Sequence, residues 1–207
     1  MRQSGWRLAV KQVSDRVIAG CALTVLSPVL GMTAIAVRIG LGSPVFFRQA
    51  RPGRHGREIT VVKLRTMRDL RAPSGELLPD SERMTALGRF LRATSLDEIP
   101  QLWNVLSGEL SLVGPRPLLT RYLDRYSPEQ ARRHEVLPGI TGWAQVHGRN
   151  AISWEQKLAM DVWYVDHWSL LLDLRIMLLT ALHMLRRDGI SHQGHVTMPE
   201  FMGEGGQ

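Results

Sequence analysis

A long apolar run near the start of the chain constrains its fold more than any other feature. From Val17 to Val37 the sequence VIAGCALTVLSPVLGMTAIAV holds 21 consecutive residues without a formal charge. A helix of this length covers roughly 30 Å at 1.5 Å per residue, which matches the hydrocarbon core of a bilayer. The run is also longer than the apolar part of a typical signal peptide. It therefore predicts a helix that enters a membrane.

The middle and the flanks of this run favour a helix that enters the membrane and returns. Pro28 removes one backbone hydrogen bond, so we expect the helix to break at Ser27-Pro28, where the Ser27 hydroxyl can bond a carbonyl that the proline leaves free. Basic flanks prefer the cytoplasm, and a re-entrant helix keeps both flanks there. An ordinary kinked spanning helix remains the alternative. The basic flanking residues are Arg2, Arg7, Lys11 and Arg16 before the run, and Arg38, Arg48, Arg51, Arg54 and Arg57 after it.

Two further segments have the pattern of interfacial helices. Trp6, Val10, Val13 and Val17 recur at spacings of four, three and four, as on one face of an amphipathic helix. Near the other end of the chain, tryptophans suited to a lipid headgroup layer precede an apolar run that contains charged residues. A buried core helix with its tryptophans packed inside fits this second segment equally well. The tryptophans concerned are Trp154, Trp163 and Trp168.

The composition is basic and includes a single cysteine. Lys and Arg total 26 against 19 Asp and Glu, which gives a net charge of +7. Such a charge suits polyanions: nucleic acid, anionic lipid or phosphorylated substrates. Cys21 has no partner in the chain, so an internal disulfide is excluded and a reducing, cytoplasmic setting is expected. The histidines lack metal-ligand spacing, and we expect them to be solvent or packing residues.

The remaining chain alternates short strand and helix patterns. Residues 44–48 and 58–67, separated by turn formers, predict a small β-hairpin. Residues 69–82 read as a loop, 84–95 and 119–137 as helical, and 138–150 as a Gly-rich loop or short strand. These patterns predict an α+β, mainly helical fold in three parts. An amphipathic and re-entrant membrane helix occupies 1–40, a cytosolic domain at the membrane interface 41–190, and a tail 191–207.

The stretch SLDEIPQ, residues 95–101, carries an acidic pair with two possible roles. In one, Ser95 caps a helix and Glu98 reaches back to it in a capping box. Pro100 would then fall at the fifth helical position, where its missing N–H is needed. If the helix begins at Pro100 instead, Asp97 and Glu98 lie just ahead of its positive end. Backbone N–H groups there keep carboxylates ionised and can also hold a phosphate.

Several basic residues are candidates to neutralise charge beside this pair. A carboxylate next to a second acid can act as a covalent nucleophile toward a phosphoryl group when a metal or cations balance the charge. The prolines around Arg116 in GPRP restrict its backbone, which suits presentation of a guanidinium to a phosphate. Taken singly, each of these residues is also consistent with an ordinary surface position. The candidates are Lys63, Arg92, Arg116 and Arg149.

The run LRATSLDEIPQLWNVLSGELSLVGPRPLL, with VVKLRTM before it and LPGITGWAQVHGRN after it, resembles the bacterial sugar transferase family. The resemblance extends from Val13 to about Leu185. It implies a monotopic phosphoglycosyl transferase, which moves the sugar phosphate of a nucleoside diphosphate sugar, usually a UDP-sugar, to undecaprenyl phosphate and releases UMP. This step starts a capsule, exopolysaccharide, O-antigen or protein-linked glycan. Because the chain begins almost directly at the membrane helix, it resembles the family's minimal catalytic form.

The resemblance also implies roles for individual residues. Asp97 is expected to be the nucleophile that forms a phosphosugar-aspartate, and Glu98 to bind Mg²⁺ beside the diphosphate, with Asp97 next to the metal. Ser27-Pro28 matches the break of the family's re-entrant helix. Substrate choice is expected to depend on loop 69–82 and on the tail after Arg187. The family's basic positions around the phosphates are matched by Lys63, Arg92, Arg116 and Arg149, and its polar positions near the site by Asn104 and Asp161.

Partners and location follow from the same resemblance. We expect a UDP-sugar, undecaprenyl phosphate and anionic lipid as partners at the cytoplasmic face of the bacterial inner membrane, where arginines attract anionic headgroups. An alternative of another class is a basic membrane-attached binding protein without catalysis. The net charge favours it, although the sequence has no recognised nucleic-acid motif. That alternative predicts salt-sensitive DNA binding without turnover.

The re-entrant hypothesis predicts a labelling pattern. In a Cys21→Ser background, single cysteines at Arg7 and Arg48 are expected to react with a membrane-impermeant thiol reagent only from the cytoplasmic side, because both basic flanks lie there. The measurement compares intact cells with inverted membrane vesicles. Labelling of either position from the periplasm would restore the spanning helix.

Overall fold

The computed structural model describes residues 3–148, 152–186 and 200–203, and over these residues the chain is mainly helical with a small antiparallel hairpin. Short 3₁₀ turns lie at Arg54–Gly56, Leu96–Glu98, Thr120–Arg125 and Arg132–Glu135. The strands are β1 (Phe46–Pro52), β2 (Glu58–Leu64), β3 (Ser111–Val113) and β4 (Gly139–Thr141). The helices are α1 (Gly5–Leu41), α2 (Asp80–Arg83), α3 (Ala86–Ala93), α4 (Gln101–Ser107), α5 (Pro128–Ala131), α6 (Trp143–His147), α7 (Trp154–His167) and α8 (Leu170–Arg186).

The membrane segment predicted from the sequence lies in α1, which continues through Pro28 without interruption. The predicted break at Ser27-Pro28 is therefore not confirmed. The Ser27 hydroxyl donates to the carbonyl of Thr24 at 2.8 Å. This is the carbonyl that an N–H at position 28 would have bonded, so the side chain replaces the missing backbone donor as predicted.

One side of α1 packs against the rest of the chain and the other side is exposed. Ala19 and Leu23 pack with α4, and Val37 packs with β2 and α3. Within the described part of the chain, α1 is the helix that is long and apolar enough to cross a membrane by length and composition. The predicted interfacial stripe lies on the exposed side. The exposed apolar side chains of α1 are Trp6, Val10, Val13, Val17, Ile18, Val25, Met32, Ile35 and Ile39.

A buried polar network attaches the start of α1 to α8. Lys11 Nζ donates to Asp173 at 2.7 Å and to the carbonyl of Val113 at 3.2 Å. Asp173 also accepts from the Tyr164 hydroxyl at 2.7 Å and from the Trp168 indole at 3.0 Å. A buried ion pair is tolerated when further hydrogen bonds satisfy its atoms, as they do here. Asp173, a charged residue within the apolar run of α8, thus anchors the start of α1.

The tryptophans of the segment predicted as interfacial or as a core helix differ in exposure. Trp168 is buried, in agreement with a core helix, whereas Trp163 is exposed. Four of the apolar side chains exposed on α8 follow helical spacing and so share one face of the helix. They are Leu171, Leu174, Leu178 and Leu182, and Met184 is also exposed.

The predicted hairpin is present, with Phe46 opposite Leu64 and Pro52 opposite Glu58. Residues 119–137, predicted as helical, form instead two 3₁₀ turns and the short α5, because Pro128 cannot continue a preceding helix. The sequence did not predict the parallel pairing of β3 with β4. This pairing brings the backbones of Gly114 and Gly139 close together, which only residues without a side chain allow. A Cβ added at Gly139 would lie 2.1 Å from the backbone N of Gly114.

Candidate active site

The acidic pair lies in a 3₁₀ turn directly ahead of α4. Asp97 and Glu98 belong to the turn Leu96–Glu98, and Pro100 is the N-cap of α4. Ser95 has a left-handed backbone (φ 55°) and its side chain makes no capping hydrogen bond. The capping-box alternative is therefore wrong, and the helix start lies within one residue of the predicted Pro100. A left-handed non-glycine residue is strained, and such strain is common at functional sites.

Glu98 is bound tightly by two cations. Its Oε1 lies 2.6 Å from Lys63 Nζ and 2.5 Å from Arg116 Nη2. Its Oε2 has a longer contact, 3.5 Å from Arg116 Nη1. Burial acts to raise the pKa of Glu98, but Arg116 and Lys63 together outweigh it and lower the pKa to about 2. Glu98 is consequently ionised at any physiological pH.

The Asp97 side chain is buried, but it forms no ion pair with the residues that the structure describes. Burial, followed by the neighbouring Glu98 charge, raises the pKa of Asp97 to about 6, against the opposing influence of Lys63, Arg92 and Arg116. Its carboxylate accepts no hydrogen bond from any residue that the structure describes. At neutral pH the group is mostly ionised and its oxygens are available. Two adjacent carboxylates are thus set to different tasks by their surroundings.

The predicted basic residues come from separate elements. Lys63 lies on β2, and burial and then Arg116 lower its pKa while Glu98 opposes them. Arg92, in the last turn of α3, donates from Nε to the Thr66 hydroxyl at 3.0 Å, and its charge acts on Asp97. The structure therefore brings Lys63, Arg92 and Arg116 together around the acidic pair. Arg149 lies outside the described residues.

Asp161 contacts the site through Arg133. Arg133 and Asp161 form a buried ion pair at 2.7 Å. The same guanidinium donates to the backbone carbonyl of Arg116 at 2.7 Å. In this arrangement Asp161 orients Arg133, which in turn fixes the backbone of the GPRP segment and so the direction of the Arg116 side chain.

Asn104 links α4 to the strand that carries Lys63. Its side-chain amide donates to the carbonyl of Thr60 at 2.8 Å, and its side-chain oxygen accepts from the backbone N–H of Val62 at 3.2 Å. Asn104 also donates to Glu109 at 2.7 Å. These bonds hold β2 at a fixed position against the helix that follows the acidic pair.

Two cations that sequence reasoning did not assign to the site extend this basic cluster. Arg51 lies on β1, and burial and then Arg116 lower its pKa to about 10. Lys157 lies on α7, and burial and then Arg116 lower its pKa to about 8. Positive groups whose pKa is lowered by burial and by a nearby arginine mark a partly buried excess of positive charge, which favours an anion. In so arginine-rich a chain, only spatial proximity could single them out.

The carboxylates suit one kind of metal ion. Over the described ranges, no group of three or more His, Cys, Asp and Glu side chains could hold a metal. Mg²⁺ is nevertheless often bound by one or two carboxylates, with water and phosphate oxygens as its other ligands. Since Glu98 Oε1 is taken by Lys63 and Arg116, the ligand atoms available are Glu98 Oε2 and the Asp97 carboxylate. The donor set fits Mg²⁺ shared with a phosphorylated ligand.

The arrangement as a whole is equipped for phosphoryl chemistry. An ionised carboxylate that accepts no hydrogen bond from the described residues stands beside a second carboxylate and among several cations. Phosphoryl transfer depends mainly on positioning and on neutralising charge, and both are provided here by side chains that distant segments contribute.

Comparisons with known proteins agree with this chemistry. A model of the family described as bacterial sugar transferase matches residues 6–187. The chain is 54% identical over 198 residues to a protein of Bacillus subtilis strain 168 named uncharacterized sugar transferase EpsL, covering 96% of this chain and 98% of that one. It is 39% identical over 201 residues to the UDP-glucose:undecaprenyl-phosphate glucose-1-phosphate transferase of Xanthomonas campestris pv. campestris, covering 89% of this chain and 42% of that protein. It is 41% identical over 165 residues to the undecaprenyl-phosphate galactose phosphotransferase of Salmonella typhimurium strain LT2, covering 72% and 35%. The chain thus spans less than half the length of these two longer relatives.

The contrast between the two carboxylates predicts opposite effects on stability. The pKa of Asp97 rises from 3.8 to about 6 on folding, so the free energy of unfolding falls as pH rises through that window. Asp97→Asn removes this cost and is expected to raise the free energy of unfolding at pH 7.5 by about 1–3 kcal/mol, with a smaller gain at pH 4.5. The pKa of Glu98 falls from 4.5 to about 2, so its contribution is present above pH 4.5 and lost toward pH 2.

Glu98→Gln is accordingly expected to destabilise the protein at pH 7.5. Denaturant unfolding of the purified, detergent-solubilised variants at both pH values measures the two effects. Equal destabilisation by both substitutions at pH 7.5 would contradict the assignment.

Proposed function

The chain belongs to the bacterial sugar transferase family, and on that premise we propose that it transfers a sugar phosphate from a UDP-sugar to undecaprenyl phosphate and releases UMP. The observation that carries the proposal is the buried, uncommitted Asp97 carboxylate beside Glu98, whose own charge is balanced by Lys63 and Arg116. The named activities of two relatives supply the substrate classes. A basic binding protein without catalysis has no need of such a pair.

In the first half-reaction Asp97 is the nucleophile. One Asp97 oxygen forms a bond to the phosphorus that carries the sugar, and the bond from that phosphorus to the UMP oxygen breaks, with the electron pair leaving on UMP. Because the pKa of Asp97 is about 6, the group is ionised at neutral pH without a general base. Lys63, Arg92 and Arg116 balance the charge on the phosphate oxygens. The product is a phosphosugar-aspartate.

In the second half-reaction the acceptor regenerates the aspartate. A phosphate oxygen of undecaprenyl phosphate attacks the same phosphorus, and the bond to Asp97 breaks with its electron pair returning to the carboxylate. Undecaprenyl diphosphate sugar is formed. Arg51 and Lys157 widen the positive surface that both anionic substrates meet.

Mg²⁺ is the proposed cofactor, and Glu98 and Asp97 would hold it together with substrate phosphate. When bound, it supplies neutralisation of the diphosphate charge. The ion pairs with Lys63 and Arg116 engage Glu98 Oε1 and hold the carboxylate in one orientation. Oε2, which has only the longer contact with Arg116, remains able to bind a metal ion.

The proposed location is the cytoplasmic face of the inner membrane, with both ends of α1 on that side. Because α1 continues as one helix through Pro28, this path requires the helix to bend at the proline and not to break there. Lys11 and Val37 both contact the folded domain, and in a straight helix the 26 residues between them would span roughly 39 Å. This exceeds the hydrocarbon thickness of about 30 Å, so a straight crossing would put one of them beyond the domain's reach. The exposed apolar side of α1 then faces lipid, and anionic headgroups meet the basic flanks.

The product of the proposed reaction starts an exopolysaccharide, capsule, O-antigen or glycoprotein glycan.

The covalent step predicts loss of activity in one variant. The full chain in lipid nanodiscs is incubated with undecaprenyl phosphate and a panel of UDP-sugars that includes UDP-glucose and UDP-galactose, and UMP release is measured. Asp97→Asn is expected to reduce turnover by about 10³-fold or more, because the nucleophile is removed. Intact-protein mass spectrometry of wild type, incubated with donor alone, should show an added sugar phosphate that the variant lacks.

Two further variants bound the interpretation. Asp166→Asn breaks an exposed ion pair with Arg132 and serves as the matched control, with turnover near wild type. Glu98→Gln is expected to need more Mg²⁺ for half-maximal rate, since it removes a metal ligand. Wild-type turnover by Asp97→Asn would refute the covalent mechanism.

A further inference from the structure

The segment 200–203 packs back against the domain through a buried aromatic side chain. Phe201 is only 3% exposed. Its ring centre lies 5.7 Å from that of Tyr122, 5.6 Å from that of Tyr126 and 5.5 Å from that of Trp154. We call these three rings around Phe201 the aromatic cage. Aromatic pairs at these separations attract beyond the area that they bury.

Charged contacts fix the backbone of the same segment. Glu200 pairs with Arg121 at 3.0 Å and with Arg125 at 2.9 Å. Arg125 also donates to the backbone carbonyl of Phe201. The segment is therefore held in register on the 3₁₀ turn Thr120–Arg125, and Phe201 is directed into the cage.

Each ring of the cage lies against a cation. The guanidinium carbon of Arg125 is 5.5 Å from the Tyr122 ring centre, that of Arg133 is 5.7 Å from Tyr126, and Lys157 Nζ is 5.0 Å from Trp154. Ordinary core packing does not require a cation on every ring. The position of each ring consequently affects the position of a charged group.

Two of these cations lead directly to the candidate active site. Arg133 donates to the Tyr126 hydroxyl at 3.3 Å and to the backbone carbonyl of Arg116 at 2.7 Å. Arg116 pairs with Glu98 at 2.5 Å. Lys157 lies against the Trp154 ring of the cage, and burial and then the charge of Arg116 lower its pKa.

We propose that Phe201 is a positioning residue: by packing between Tyr126 and Trp154 it sets the positions of Arg116, through Arg133, and of Lys157, so that both can bind the diphosphate of the donor. The identity of that ligand rests on the proposed function, whereas the placement of the two cations does not. Segment 200–203 thereby influences the active site through these cations without touching the acidic pair.

Lysine labelling tests the placement without any need for turnover. The chain has three lysines, and Lys11 and Lys157 are both buried. The full chain in nanodiscs is pulsed with acetic anhydride, and acetylation at Lys157 is divided by that at Lys11. Phe201→Ala is expected to raise this ratio about tenfold, because local opening exposes the cage alone. Phe201→Tyr, which keeps a ring, should restore most of the protection, and Met202→Ala, which alters an exposed neighbour, should leave the ratio unchanged.

Calorimetric binding of inorganic pyrophosphate tests the consequence for the site. Phe201→Ala is expected to weaken pyrophosphate binding about tenfold, because a displaced cation loses its contact with phosphate. An unchanged Lys157 ratio, or a raised ratio with unchanged pyrophosphate affinity, overturns the proposal. If Phe201→Ala also exposes Lys11 because the protein unfolds, the Glu200→Gln variant is measured instead. A smaller rise in acetylation at Lys157, without a rise at Lys11, supports the positioning role. No rise at Lys157 overturns it. Failure of the wild type to release UMP refutes the proposed function and leaves the labelling result standing.

Discussion

The ion pairs of Glu98 with Lys63 and Arg116 are the interactions on which the candidate site depends. A buried carboxylate without partners is costly, and two cations within 2.6 Å of one oxygen remove that cost. The partners lie 35 and 18 residues away along the chain. Satisfying this one charge therefore brings together β2, the turn Leu96–Glu98 and the GPRP segment. Among the residues that the structure describes, the neighbouring Asp97 has no hydrogen-bond or ion-pair partner of its own.

This difference between adjacent acids is what makes the pair chemically useful. The cations act most strongly on the carboxylate that they touch, so the pKa of Glu98 is low while burial and the Glu98 charge raise that of Asp97. A second layer of polar contacts keeps the cations in place. Asn104 holds β2 against α4, and Asp161 holds Arg133 on the backbone of Arg116. Residues that touch no carboxylate of the pair thus determine its charge balance.

Two contacts of α1 with the folded domain relate this helix to the site. The buried pair of Lys11 and Asp173 fixes the start of α1, and Val37 fixes its later part on β2 and α3. Because β2 also carries Lys63, the apolar helix and the cationic cluster are attached to one strand. In the proposed reaction, a lipid-linked phosphate held near α1 would therefore lie close to the acidic pair.

The sequence alone determined the features that depend on neighbouring residues. The uncharged run gave the long apolar helix, turn formers gave the hairpin, and Pro100 placed Asp97 and Glu98 just ahead of a helix. It also predicted that Lys63 and Arg116 belong beside this pair. Only the tertiary structure decided what depends on distant contacts. These are that α1 continues through Pro28, that β3 pairs with β4, that Asp173 anchors Lys11, that Arg51 and Lys157 extend the basic cluster, and that Phe201 packs on Tyr126. Local propensity and spacing act over a few residues, whereas the partner of a buried charge or ring is set by the packing of the whole chain.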